Sequence, residues 1–369
     1  MNAEETDMPE LGDDLRVAVI GYGLAGAVFH APLIAATPGL QVAAIVTANP
    51  ARQAQAHRDF PAAMLLSAAE ELWSDPGSYD LVVVAAPNRM HVPLALAALE
   101  AGLPVVVDKP FTASAADAER LITAAERAGR LLTVFQNRRW DGDFLTVRAL
   151  VAGDALGPIT SFESRFERYR PAPRADAWRE LPAPEEAGGL LYDLGSHLID
   201  QAMQLFGQPT QVYAELHQRR PGALVDDDAF VALEFPGGVT AHLWMSAVAR
   251  ILGPRFRVLG LRGAYEKQGL DPQEEALRIG LRPGAEGWGA EPRERWGQLS
   301  TDLAEVHVDG AVETLPGEYE AFYRLLRDAL ADDGPPPVDP REALAALRVI
   351  GAARTSAQRG AAVALARGG

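Results

Sequence analysis

A short apolar run, Arg16-Val17-Ala18-Val19-Ile20, leads directly into Gly21-Tyr22-Gly23-Leu24-Ala25-Gly26, and a helix-forming stretch follows. The six residues match G-x-G-x-x-G. Strand, glycine turn and helix in that order constrain the fold more than any other feature of the chain. Gly21 permits the tight turn, Gly23 lets the backbone approach a pyrophosphate, and Gly26 lets helix and strand pack closely. The N-terminus of the helix adds free N–H groups and a partial positive charge. The alternative reading, a tight strand–helix turn without ligand, is weakened by this context.

The alternation continues. Gln41–Val46, Met64–Leu66, Leu81–Ala86, Val105–Val107 and Leu131–Phe135 read as short strands. The Ala/Leu/Glu-rich stretches between them, such as Pro93–Ala101 and Ser114–Ala128, read as helices. This pattern predicts βαβ units in a doubly wound parallel sheet over residues 15–138. Beyond Trp140 the text changes. After a helix at Asp143–Ala152 come longer alternating segments: Ile159–Tyr169, Gln211–Gln218, Phe230–Phe235, Val239–Ala247 and Arg255–Leu261. Pro236-Gly237-Gly238 marks a hairpin. Residues 139–369 are thus expected to form an α+β domain with a mostly antiparallel sheet. It would hold a long helix at Gly189–Phe206, an extended loop at Gly280–Gln298, and a last helix, about 340–365, near the domain interface.

With 369 residues the chain is long enough for two such cores. Residues 1–14 are acidic and are expected to form a disordered tail. There is no cysteine, which excludes disulfides and thiolate chemistry and fits a cytoplasmic protein. No apolar run is long enough to span a membrane. The formal net charge of −16 argues against nucleic acid as a partner.

In an open parallel sheet, ligands bind beyond the carboxyl ends of the strands. That rule selects Pro87, Asn88 and His91 after the fourth strand, Asp108 and Lys109 after the fifth, and Gln136, Asn137 and Arg138 after the sixth. Lys109 follows a Val-Val-Val run and precedes a proline that pins the backbone. A lysine held there can hydrogen-bond a substrate hydroxyl, although an ordinary surface lysine is the plainer alternative. After the second strand, NAD binders usually place an acid on the ribose hydroxyls. Here Thr47-Ala48-Asn49 occupies that place. Thr47, Asn49 and Arg52 can instead meet a 2′-phosphate, so NADP is preferred over NAD, with Arg52 as a solvated helix residue the plainer alternative.

In Gly188–Asp200, Asp193 and His197 lie four residues apart on a predicted helix and share a face. Histidine titrates near neutrality and is a natural base for a hydroxyl proton. Asp193 would orient the imidazole or contact a substrate hydroxyl. A solvated polar stripe continuing to Asp200 and Gln204 is the alternative on the helix alone.

Taken together, GYGLAG, AAPNRMH, DKP in place of the usual E-K-P, and GGLLYDLGSHLID resemble the glucose–fructose oxidoreductase / inositol dehydrogenase family. VFQNRRWDGDF and GLDPQE are similar to its scyllo-inositol dehydrogenase-like branch. The resemblance implies a Rossmann domain followed by an open sheet that forms homodimer or homotetramer contacts. It implies NAD(P)-dependent hydride transfer at a sugar or polyol hydroxyl, with Lys109, Asp193 and His197 catalytic between the domains. Asn88, His91, Gln136 and Asn137 would line the nicotinamide side, and Trp178-Arg179 would reach across to the cofactor. Arg138, Arg165 and Tyr192 would contact substrate. Asp108, where the family has Glu, shortens the reach of that carboxylate. A non-catalytic cofactor-binding sensor and NAD-dependent glycoside chemistry on the same fold remain the alternatives.

Overall fold

The computed structural model describes residues 14–173 and 178–366. The expected acidic tail lies outside the described residues up to position 13. Six parallel strands make the first sheet: β1 (Leu15–Ile20), β2 (Leu40–Val46), β3 (Met64–Leu66), β4 (Leu81–Val84), β5 (Val105–Val107) and β6 (Leu132–Val134). Their order is β3-β2-β1-β4-β5-β6. Every residue of β4, β5 and β6 is buried, as strands covered on both faces require. The connections are α1 (Ala31–Ala35), α2 (Pro50–Asp59), α3 (Glu70–Ser74), α4 (His91–Glu100) and α5 (Ala115–Ala128). Asn49 and Ser114 start α2 and α5, their side chains accepting from the N–H groups of Arg52 and Asp117. The strand order reverses between β1 and β4, and the crevice outside their carboxyl ends is where such sheets bind ligands.

The second sheet has nine strands: β7 (Ile159–Glu167), β8 (Gln211–His217), β9 (Asp228–Glu234), β10 (Thr240–Ser246), β11 (Phe256–Gly260), β12 (Gly263–Lys267), β13 (Gly297–Leu303), β14 (Val306–Val312) and β15 (Val363–Ala364). They run β14-β13-β12-β11-β7-β10-β9-β8-β15. All pairs are antiparallel except β7 with β10, which makes the sheet mixed. Gly237 and Gly238, both at φ 86°, turn the expected β9–β10 hairpin. Five helices belong to this half: α6 (Gly142–Ala152), α7 (Ser196–Phe206), α8 (Gln273–Arg278), α9 (Glu320–Ala331) and α10 (Pro340–Arg359).

Strands β12 to β14 and helices α8 and α9 were not read from the sequence. β14 is exposed or half-exposed throughout, so its hairpin with β13 lacks the alternating apolar face that marks a strand. The stretch expected as loop at 280–298 contains only a short turn, Arg293–Arg295, before β13 begins.

Helix α10 packs on α5 and β6 of the first half and on α7 and β8 of the second. Leu344, Leu347, Ile350 and Ala353 form its buried stripe. Its pairs Arg341–Glu126 and Arg348–Glu119 are solvent-exposed and contribute about 0–1 kcal/mol each, so the apolar stripe holds the helix. Among the described residues no helix is long and apolar enough to cross a membrane.

Candidate active site

The glycine turn is built as its sequence requires. Gly21 has φ +101°, and a Cβ there would lie 2.4 Å from the Ala85 carbonyl oxygen; one on Gly26 would lie 2.0 Å from that of Gly21. Gly23 differs. A Cβ on it would meet nothing nearer than the Arg52 guanidinium at 3.8 Å. The backbone at Gly23 thus faces open space at the start of the π-type turn Ala25–His30, and Leu24 and Ala25 border the adjoining cavity. This open cradle at a helix start fits a dinucleotide pyrophosphate. Tyr22 does not face it. Its ring is buried and its hydroxyl donates to Asp59 Oδ2 at 2.8 Å, so only its backbone can reach a cofactor.

At the end of β2, Thr47 Oγ1 accepts from the Asn49 N–H at 3.4 Å, and Asn49 Oδ1 accepts from the Arg52 N–H at 3.1 Å. Both side chains serve the local turn. Arg52 is exposed and its guanidinium flanks Gly23, so it alone of the three offers a cation to a phosphate.

The cavity, about 730 Å³, lies between the two halves and is bordered by Asp108, Lys109, Asn137, Arg138, Asp193 and His197. Lys109 Nζ donates to Asp193 Oδ1 at 2.9 Å and to the Asp193 carbonyl oxygen at 2.7 Å. Asp193 sits in a π-type turn, Leu191–Gly195, that runs into α7. Such wide turns recur at functional sites. Leu191 N–H donates to Asp226 Oδ2 at 2.8 Å, which fixes the start of the turn. Arg179 Nε at 3.3 Å and Arg168 at 3.6 Å also face the Asp193 carboxylate. Burial alone would raise its pKa, but the charges of Lys109, Arg179 and Arg168 outweigh burial and hold it well below the usual carboxylate range. Asp193 therefore binds Lys109 and does not orient the imidazole.

His197, on the first turn of α7, is buried. Burial, with the charges of Lys109 and Arg138, pushes its pKa well below the ordinary histidine value. It is a neutral imidazole at physiological pH, and its buried Nδ1 has no hydrogen-bond partner among the described residues. Arg138 borders the same cavity but is already committed: it donates to Glu274 at 2.7 Å, to Tyr319 at 3.3 Å and to Asp141 at 3.4 Å. It acts on the site as a fixed charge.

Several residues selected by sequence lie elsewhere. Pro87, Asn88, His91 and Gln136 do not border the cavity. Asn88 Nδ2 donates to the Glu186 carbonyl at 2.8 Å, and Arg89 pairs with the Glu186 carboxylate, so this strand exit staples the two halves. His91 has Nδ1 3.0 Å from the Pro110 carbonyl and Nε2 3.0 Å from that of Ala86, which braces two strand exits from behind. Asp108 turns back on its own loop, accepting from the Lys109 N–H at 2.8 Å, with His30 Nε2 at 3.7 Å. Burial opposes its charge, but His30, His91 and Lys109 together outweigh burial and lower its pKa.

Arg165 was expected to contact substrate, but it does not border the cavity. The two-residue period of β7 buries Phe166 and Ser164 and puts Arg165 on the other face, stacked 3.9 Å from the Trp244 ring and bonded to Glu163. Tyr192 points away from its neighbour Asp193, and its hydroxyl donates to the Ala113 carbonyl at 3.2 Å. The side chain of Trp178 lies outside the described residues, whereas Arg179 borders the cavity. Arg168, Arg170 and Glu274 also border it and were missed. The two arginines follow β7, so extending the strand-exit rule to the second sheet would have found them.

Comparison with known proteins agrees with this architecture. Residues 15–136 match the oxidoreductase family, NAD-binding Rossmann fold, and residues 148–365 match the oxidoreductase family, C-terminal alpha/beta domain. The Escherichia coli (strain K12) oxidoreductase YdgJ is 44% identical over 357 residues, 96% of this chain and 100% of that protein. The scyllo-inositol 2-dehydrogenase (NADP(+)) IolW of Bacillus subtilis (strain 168) is 37% identical over 346 residues, 94% of each chain. Among solved structures, the Bacillus subtilis oxidoreductase yvaA superposes with a TM-score of 0.91 at 36% identity, covering 96% of this chain and 99% of its own. Matched across both halves, the chain belongs to the glucose–fructose oxidoreductase / inositol dehydrogenase (Gfo/Idh/MocA) family of NAD(P)-binding oxidoreductases.

Proposed function

We propose that the protein interconverts a secondary hydroxyl and a ketone on a sugar or cyclic polyol. The observation that carries this reading is the Lys109–Asp193 pair, which joins a strand exit of the first sheet to the turn before α7, with His197 one turn further on. NAD(P), when bound, supplies the hydride acceptor or donor. Every other task falls to the chain. Gly23 and the helix start hold the phosphates. Lys109, fixed by two bonds to Asp193, donates its remaining N–H to the substrate oxygen. His197, kept neutral by burial and by nearby cations, takes the hydroxyl proton on oxidation and returns it on reduction. Asp193 stays ionised and offsets the positive charge that then develops on His197. Burial between the two halves excludes water from the reacting groups.

Arg52 beside Gly23, and the absence of an acid at 47–49, support NADP as the preferred cofactor. The NADP(+) in the name of the 37%-identical relative agrees with that preference. The half-buried Phe230, His242 and Trp244 on the outer face of the second sheet support a homo-oligomer packed there. A monomer mass by light scattering would count against that assembly.

The test is an initial-rate screen of NADP and NAD against inositols, aldoses and ketoses, read at the reduced-nicotinamide absorbance band. Oxidation of at least one ring polyol, faster with NADP, is expected. Tight cofactor binding without turnover across the panel would favour a sensor instead.

A further inference from the structure

The chain carries a net charge of −16, yet one wall of the cavity gathers Arg168, Arg170, Arg179 and Arg220. These four cations are not equally occupied. Arg220 is consumed by Asp227 at 2.9 Å and Glu180 at 2.8 Å. It also donates to the carbonyls of Arg170 and Ala172, at 3.5 and 3.3 Å, and so fixes the segment after β7. Arg179 faces Asp193. Arg168 has one ion-pair partner among the described residues, the same Asp193, at 3.6 Å, and its buried Nε has no hydrogen-bond partner among them. Arg170 is anchored by its backbone N–H to the Ala247 carbonyl at 2.7 Å. Arg170 is exposed, borders the cavity, and its side chain makes no ion pair or hydrogen bond with any described residue.

Asp193 thus serves three cations at once, Lys109, Arg168 and Arg179. Burial weakens the charged form of Arg168; the charges of Asp193 and Glu274 support it, the like charges of Arg170 and Arg220 oppose it, and the net shift is downward. Like charges gathered at a partly exposed wall repel one another, and an anion placed among them relieves that repulsion. The dinucleotide phosphates are assigned to the glycine turn of the first half. Arg168 instead touches Asp193, at the reacting end.

We propose that Arg168 and Arg170 form a subsite for an anionic group on the substrate, the carboxylate or phosphate of an acidic sugar or polyol. The planar guanidinium forks suit either group. This subsite rests on the dehydrogenase reading above and narrows its substrate class.

Matched pairs test it. Initial rates are compared for a neutral polyol or aldose and its own aldonate, uronate or phosphate ester, with the wild type and Arg170→Gln. The anionic member is expected to show kcat/KM about tenfold higher or more, mostly through KM, with the advantage shrinking as salt rises. Arg170→Gln is expected to reduce the anionic-over-neutral preference about tenfold. The carboxylate and phosphate arms identify which anion fits. A neutral substrate used as well as its acid, or a preference that Arg170→Gln leaves unchanged, overturns the subsite while the dehydrogenase stands. Calorimetric titration of the same pairs into the protein–NADPH complex reads binding without turnover. Tighter binding of the acid, lost in Arg170→Gln, supports the subsite even if no compound is oxidised, in which case the dehydrogenase reading alone fails. Equal binding of both members overturns the subsite.

Discussion

The six-stranded sheet carries helices on both faces, whereas the nine-stranded sheet packs α7 and α10 on one face and leaves Glu163, Arg165, Phe230, His242 and Trp244 half-buried on the other. In the first sheet a polar residue has almost nowhere to go except the strand exits, so polarity there is informative. In the second, one face is polar by default, and a charged residue on a strand says little about a ligand. Lys109 and Arg165 illustrate the contrast. One is a cation at a buried strand's exit and meets Asp193; the other is a cation on an open face and stacks on Trp244.

Substitutions can break that contrast. The largest effect is expected at the rim. Lys109→Met should lower kcat by roughly 1,000-fold, since substrate orientation and the Asp193 contact go together. Unfolding temperature, measured in parallel, should change little, because Arg168 and Arg179 still face Asp193. His197→Ala should cost turnover roughly 100-fold with cofactor affinity nearly unchanged by fluorescence titration. In the wild type, oxidation loses rate only when His197 becomes protonated. Its depressed pKa puts the acid limb of the kcat/KM profile below the ordinary histidine value of about 6.5. A limb above that value would remove His197 as the base. A smaller effect is expected from Arg52→Ala, which should reduce the NADP-over-NAD preference about tenfold, the worth of one charge-assisted contact. Arg165→Ala should change kcat/KM by less than about twofold, as expected of a residue away from the chemistry. A large loss there would break the distinction between rim and open face.

The same contrast explains what the sequence made legible. Continuous Val and Leu runs such as Val105–Val107 exist because both faces are covered, and they announced the parallel sheet and its exits. The glycine turn, Lys109 and the Asp193–His197 pair could be picked out by local chemistry and spacing, their joint role was implied by the family resemblance, and the structure brings the last three to one cavity. Less legible was the direction of each side chain. Tyr22 and Tyr192 sit beside residues of the glycine turn and the cavity, and His91 follows a strand exit, but each turns to a local partner: Asp59, Ala113 and two loop carbonyls respectively. Such choices depend on tertiary neighbours far off in sequence. Glu274 shows the same limit from the other side. It lies in a motif that pattern alone could flag, yet its bond to Arg138 spans 136 residues of chain. The β13–β14 hairpin left no pattern because it buries almost nothing.

Helix α10 closes a mechanical circuit. The chain leaves the first sheet after β6, builds the second, and returns to lie across both, with Val338 bonded to Thr133 at one end and Ser356 bonded to Ala214 at the other. A clamshell motion about the crossing near Trp140 would have to shear that helix from one sheet and pull Asn88 from Glu186. The mouth of the cleft is therefore set by the backbone before any ligand arrives, and rotamer changes of the long arginines on its wall are left to accommodate guests of different size.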